Sequence, residues 1–165
     1  MNTVRRSARE VALLVLFWAD LQEGEQPDEV LESFKRDLLG DDEFLAELFE
    51  VSNDSGTLRK RAKKLTESEQ QWTFVERIVV GVASHLRAID EMIGRFSNNW
   101  KVNRMARVDR NILRLAAYEL VFEPDIPTRA TLNEAIEIAK RYGSIESGKF
   151  VNGILDRIAQ ELGRI

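Results

Sequence analysis

The stretch Asp109-Arg110-Asn111-Ile112-Leu113-Arg114-Leu115-Ala116-Ala117-Tyr118-Glu119-Leu120 decides the fold class. Its apolar residues recur at helical spacing and do not alternate, the mark of an amphipathic helix. Pro124-Asp125-Ile126-Pro127 interrupts the pattern, and Leu132-Asn133-Glu134-Ala135-Ile136-Glu137-Ile138-Ala139-Lys140-Arg141-Tyr142-Gly143 restores it. Ser147-Gly148-Lys149-Phe150-Val151-Asn152-Gly153-Ile154-Leu155-Asp156 then carries it on. The expectation is three helices, at about 104–122, 128–142 and 147–162. Gly143 is well placed as the C-cap of the second, and Ser147 as the cap of the third.

Working outward, the same period runs through most of the chain. A first helix spans about 3–22 with a stripe at Val4, Ala8, Val11, Val15 and Trp18, and Gly24 and Pro27 end the segment. A second covers about 28–39 and stops at Gly40; a third begins near Asp41 and carries Phe44, Leu45, Leu48 and Phe49. Ser52-Asn53-Asp54-Ser55-Gly56 signals a loop. Residues 57–68 are strongly basic but keep Leu58, Ala62 and Leu65 on one side, so a helix and a solvated linker compete there. A longer helical region follows at about 69–96, with Gly81 marking a break or a close helix crossing. No clear period-2 strand interrupts this series. The expected fold is all-α with about seven helices, a single domain 1–165 with subdomains at about 1–68 and 69–165.

Composition narrows the chemistry. The chain has no cysteine, which removes disulfides, thiolate metal sites and cysteine nucleophiles together and suits a cytoplasmic protein. One histidine, His85, cannot build a multi-histidine metal site and reads as an ordinary helix residue. The net charge of −4 excludes a globally basic nucleic-acid binder, so any RNA site must be a local patch. Arg5 and Arg6 ahead of the apolar run Val11–Ala19 imitate a signal peptide. Glu10 breaks the transition, however, no small-x-small site follows, and the run falls short of the roughly 20 residues that span a bilayer. It reads as a core helix, with no membrane role.

An enzymatic reading finds little support. Gly143-Ser144-Ile145-Glu146-Ser147-Gly148-Lys149 fits the spacing of a phosphate-binding loop, but Phe150 stands where a magnesium-binding hydroxyl is needed and a helix leads in instead of a strand. Gly143 then reads as a helix stop and Gly148 and Gly153 as close-packing positions, with Lys149 placed to contact an anion near a helix start. Carboxylates are scattered, and no cofactor or metal site is implied.

A surface is the better candidate. At about 100° per residue, Arg5, Arg6 and Arg9 fall within an arc of roughly 100° that points away from the Val4–Ala8–Val11–Val15 stripe. Arginines at a helix N-terminus oppose the macrodipole by some tenths of a kcal/mol each, so helix stability does not select them. Guanidinium groups grip phosphates and stack on bases. Leu13, Leu16 and Phe17 continue the arc, either under a neighbouring helix or as a base-stacking surface. Arg59–Lys64 looks like a solvated linker, whereas Arg104, Arg107, Arg110 and Arg114 share a helix face that extends the patch or pairs with Glu119, Glu123 or the acidic second and third helices.

Two regions together resemble the NusB family of transcription antitermination factors. One is Arg5-Arg6-Ser7-Ala8-Arg9-Glu10-Val11-Ala12 with Leu16-Phe17. The other, at about 74–158, carries Ile112-Leu113-Arg114, Tyr118-Glu119-Leu120, Asn133-Glu134-Ala135 and Lys149-Phe150-Val151-Asn152-Gly153. Residues at about 23–71 match little. The resemblance implies two packed three-helix bundles, no catalysis, and binding of single-stranded boxA-type RNA together with the ribosomal protein NusE in the RNA polymerase antitermination complex. It assigns Arg5, Arg6, Arg9 and Phe17 to RNA, and Tyr118, Glu119, Phe122, Asp125 and Arg129 to NusE, with the prolines holding the Asp125 loop extended; Phe74 and Lys149 are further RNA-binding candidates. Some relatives are homodimers that cover the arginine face. Ser7 departs from a position often basic in the family, and Phe17 from a common tyrosine. Ser7 and Glu10 also match a capping box, which would start the first helix later. The competing readings are a helical interaction adaptor without RNA and the RNA-binding appendage of a ribosomal RNA methyltransferase; the end at Ile165 leaves the latter no catalytic domain.

Overall fold

The computed structural model describes residues 3–22, 27–38, 55–98 and 100–165. Eight α-helices lie among them: α1 Thr3–Leu21, α2 Pro27–Leu38, α3 Ser55–Glu67, α4 Glu69–Ser84, α5 Leu86–Arg95, α6 Arg107–Phe122, α7 Thr128–Tyr142 and α8 Ser147–Glu161, with a 3-10 turn at Val102–Arg104. The fold is all-α, as the periodicity predicts. The third helix expected near Asp41, residues 52–54 of the loop signal, and the stops at Gly24 and Gly40 fall outside the described residues.

The chain divides into two compact units, Met1–Val80 and Gly81–Ile165. The boundary between these units falls inside α4. The physical reason is the apolar face of the first part of α4, where Trp72, Phe74, Val75, Ile78 and Val79 are all buried. Phe74 lies under α1 arginines and Trp72 under Lys35 of α2, which ties this part of the helix to the first unit.

In the first unit α1 packs on α2 and α3. Val11 through Leu16 are buried all round the helix, so Leu13 and Leu16 are core and offer no base-stacking surface. A helix apolar on every side belongs in an interior. The basic segment is a helix and not a linker: Leu58, Ala62 and Leu65 of α3 are buried at i, i+4, i+7 spacing. Its Arg61 donates to Glu10 Oε2 at 2.8 Å and to Ser7 Oγ at 3.3 Å. Ser7 and Glu10 are therefore spent on α3 and form no capping box, and α1 begins at Thr3.

In the second unit α6 is the central element, packed on α5, α7 and α8. Every residue from Asp109 through Leu120 is buried. The arginine face expected on this helix is accordingly divided. Arg114 is buried and binds Asp90 of α5 with both arms of its guanidinium, while Arg110 is buried and donates to the Val102 carbonyl at 3.3 Å. Only Arg104 and Arg107 of the four are exposed. Gly81 is the close crossing: a Cβ there would run into the Tyr118 ring of α6. The helical break comes later, at His85, whose N–H is shared between the Gly81 and Val82 carbonyls at 3.2 Å each.

Two smaller expectations also change. Ser147 Oγ accepts from the Ser144 N–H at 2.9 Å and does not cap α8, which starts at Ser147 itself. Gly143 is the C-cap of α7, as expected, in an extended conformation with its N–H on the Ala139 carbonyl. Gly148 sits 3.5 Å from Lys140 Cγ as a packing position, but nothing lies within 4 Å of a Cβ at Gly153, so close packing does not explain that residue.

Candidate nucleic-acid interface

The arginine cluster assembles around one ring. Phe74 of α4 is 3% exposed, and the Arg5 guanidinium carbon lies 4.0 Å from its centroid. Arg9 and Arg77 stand around the same ring at 5.7 Å each. A quadrupolar ring face attracts cations by about 0.5–2 kcal/mol depending on desolvation, which offsets part of the repulsion among three guanidinium groups. Phe74 was expected on the RNA surface; its burial makes it a support for arginines and leaves no platform for a base.

The three arginines of α1 do not share one accessibility. Arg5 and Arg6 are half-buried, and Arg9 is only 5% exposed. The division expected from helical geometry holds only in part: Val4 of the apolar stripe is 37% exposed, while Arg9 is buried beside Phe74 of α4. Arg5 is the member that opens to solvent beside Phe74. It lines a cleft of about 210 Å³ with Val4, Ala8, Gln70, Gln71 and Phe74. A second cleft of about 410 Å³ runs between Arg5 and the α4 residues Glu69, Gln70, Thr73, Phe74 and Arg77.

Sequence reasoning missed Arg77, Gln70 and Thr73. Gln70, Phe74 and Arg77 recur at i, i+4, i+7, one face of a helix, so the pattern was available once the Phe74 position was suspected. Phe17 is half-buried toward the C-terminal half of α1, and Lys149 is exposed on the first turn of α8 in the second unit; neither lines the clefts around Phe74.

A different surface gathers around the end of α6. His85 Nδ1 lies 2.9 Å from the Gly81 carbonyl, which can only accept. Its ring packs on Phe122 at 4.1 Å, and Phe122 stacks on Tyr118 at 5.4 Å. Phe122 is 38% exposed, and Asp125 and Arg129 are exposed. Tyr118 and Glu119, both expected on the partner face, are buried at 6% and 1%. The Tyr118 hydroxyl donates to Glu123 at 3.5 Å and Glu119 accepts from Thr131 Oγ1 at 3.2 Å, so both support the surface from below. The proline loop is a turn and not an extended edge, closed by the Ile126 N–H on the Glu123 carbonyl at 3.1 Å with Asp125 at its tip.

Residues 6–160 match the model of the NusB family. The chain belongs to the NusB family. A transcription antitermination protein NusB of Sorangium cellulosum is 43% identical over 161 residues, covering 98% of this chain and 95% of that protein. The NusB structure of T. maritima is similar with a TM-score of 0.72 at 38% identity, over 98% of this chain and 94% of that one. A crystal structure of the antitermination factors NusB and NusE in complex with dsRNA is similar with a TM-score of 0.68 at 25% identity, over 98% and 99%. NusB-family factors are transcription antitermination proteins and not enzymes. No described helix is long and apolar enough to cross a membrane, and no group of three or more His, Cys, Asp or Glu among the described residues is arranged to hold a metal.

Proposed function

We propose that this chain is a cytoplasmic RNA-binding antitermination factor that takes boxA-type RNA together with a NusE-type ribosomal protein and supports processive transcription by RNA polymerase. The observation that carries the RNA reading is the Arg5 guanidinium held over Phe74 beside an open cleft, in a protein of net negative charge. A local cation cluster on an acidic chain gives attraction to phosphate where it is wanted and repulsion elsewhere. Single-stranded RNA exposes its bases, which stack on guanidinium planes as well as on aromatic rings. Arg5, Arg6 and Arg9 are the primary contacts, with Phe74 backing Arg5 and Arg9; Phe17 on the same helix and Lys149 in the second unit are further candidate contacts. Family membership and the NusE-bound structural relative support a second, protein-binding surface at Phe122, Asp125 and Arg129, backed by Tyr118 and Glu119.

The test is an anisotropy titration of boxA-type, scrambled and double-stranded RNA, each with and without NusE. The expected result is preference for the boxA-type strand, tightened by NusE and weakened by joint Arg5→Ala and Arg6→Ala substitution. Equal, weak binding of all three RNAs by the folded protein would replace this reading with a helical adaptor that works on proteins alone.

A further inference from the structure

We propose that α4 is itself an RNA-binding element: Arg77, with Gln70 and Thr73, forms the wall that faces Arg5 across the larger cleft and grips a phosphodiester jointly with it. The proposal rests on the RNA-binding reading above and adds residues that the resemblance does not assign.

The geometry gives the reason. Arg5 and Arg77 approach the same ring, at 4.0 and 5.7 Å, from two different helices. The cleft they share is about 410 Å³, in the range of small-ligand sites. Arg77 and Thr73 are exposed on successive turns of α4, and Gln70 is exposed one turn earlier. A cation on each wall, with polar groups along one of them, is an arrangement that can track a nucleic-acid backbone. The Gln70 amide carries both donors and an acceptor, so it can meet the edge of an unstacked base while the guanidinium groups hold the phosphate. Glu69 also lines the cleft, at the N-terminal end of α4. Its carboxylate repels phosphate from that end and accepts from an exocyclic amino group, which polarises the cleft along its length.

The proposal is tested on the full chain with the boxA-type strand. Each phosphate contact contributes about 0.7 to the slope of log K against log salt for a single strand. Arg77→Ala should lower that slope by about 0.7, and Arg77→Lys should restore most of it. Arg87→Ala breaks only an exposed i,i+4 pair with Glu91 and sets the level for loss of any one positive charge. Because the chain contains no cysteine, Thr73→Cys supplies a single thiol whose alkylation should slow when RNA is added. An Arg77→Ala slope equal to wild type, or a thiol at 73 that RNA does not protect, while Arg5→Ala still weakens binding, overturns the role of α4 and leaves the RNA function standing. No effect of Arg5→Ala or of Arg77→Ala would remove both.

Discussion

Arg114 clasps Asp90 with two parallel hydrogen bonds, Nε to Oδ1 at 2.9 Å and Nη2 to Oδ2 at 2.8 Å, pinning α6 to α5. The arginine side chain is 11% exposed and the carboxylate 28%, so solvent screens the pair only in part. A third bond from Nη1 reaches Asn111 Oδ1 at 3.2 Å. Arg114→Ala should therefore lower the unfolding free energy by about 2–3 kcal/mol, the range for hydrogen bonds to charged groups near an interior. Lysine should recover little, because a point charge cannot reproduce the fork. Urea denaturation measures both, and an alanine variant within about 0.5 kcal/mol of wild type would show the clasp to be a surface pair in energy.

Gly81 and Tyr118 make a second prediction whose sign depends on the partner. By helix propensity alone, Gly81→Ala within α4 should stabilise by about 1 kcal/mol. The ring of Tyr118 occupies the space the new methyl needs, and that ring is held by Phe122 on one side and Glu123 at its hydroxyl. Overpacking costs about 1–3 kcal/mol and should win, giving a destabilised variant. In a Tyr118→Ala background the same change should become stabilising, since the obstacle is gone. A thermal double-mutant cycle without that sign reversal would sink the argument.

These two relationships also mark what could be read before the structure. The helices of the second unit are legible because their apolar residues recur at helical spacing and the connections carry proline and glycine. The fate of Arg110 and Arg114 was not, because their partners Val102 and Asp90 lie on other elements, and a helical wheel cannot tell a solvated arginine from a clasped one. The same limit applies to α1. Its projection placed Arg5, Arg6 and Arg9 on one arc, yet α4 reaches over Arg9 through Phe74. Residues 57–68 read as either helix or linker in the sequence, and the burial of Leu58, Ala62 and Leu65, with Glu10 paired to Arg61, decides for the helix. Charge runs are ambiguous in sequence because their meaning is set by a counter-charge elsewhere in the chain.

Asp109 predicts a pH effect. It lies buried in the first turn of α6, where the helix dipole favours its anion by some tenths of a kcal/mol. Burial is the stronger influence and pushes the carboxyl above its ordinary value of 3.8, with a hydrogen bond to Ser147 pulling the other way. The folded state thus holds the proton more tightly than the unfolded chain. That contribution to stability is fully present below 3.8 and is lost as pH rises through the raised folded value. Asp109→Asn stays neutral throughout. The difference in unfolding free energy between the variant and wild type should shift in favour of the variant as pH rises from acid toward neutrality. Urea titrations at matched pH values check it, and a pH-independent difference would mean that the carboxyl titrates alike in both states.

The end of α6 yields the last prediction, which separates docking from support. Asp125 stands exposed at the tip of the Glu123–Ile126 turn, whereas Glu119 is 1% exposed and holds Thr131 of α7. A rim charge acts on encounter and orientation, so Asp125→Ala should weaken NusE binding by about tenfold, or ~1.4 kcal/mol. Its unfolding curve and its affinity for RNA alone should stay unchanged. Glu119→Ala should do the reverse: it removes the acceptor of a buried hydroxyl and should cost about 1–3 kcal/mol of stability, while the folded fraction keeps its affinity for NusE. Calorimetric titration with NusE, run beside thermal unfolding of each variant, distinguishes the two. An Asp125→Ala protein with unaltered NusE affinity would remove this turn from the docking surface, and an affinity loss in fully folded Glu119→Ala would show that the buried carboxylate shapes the surface it underlies.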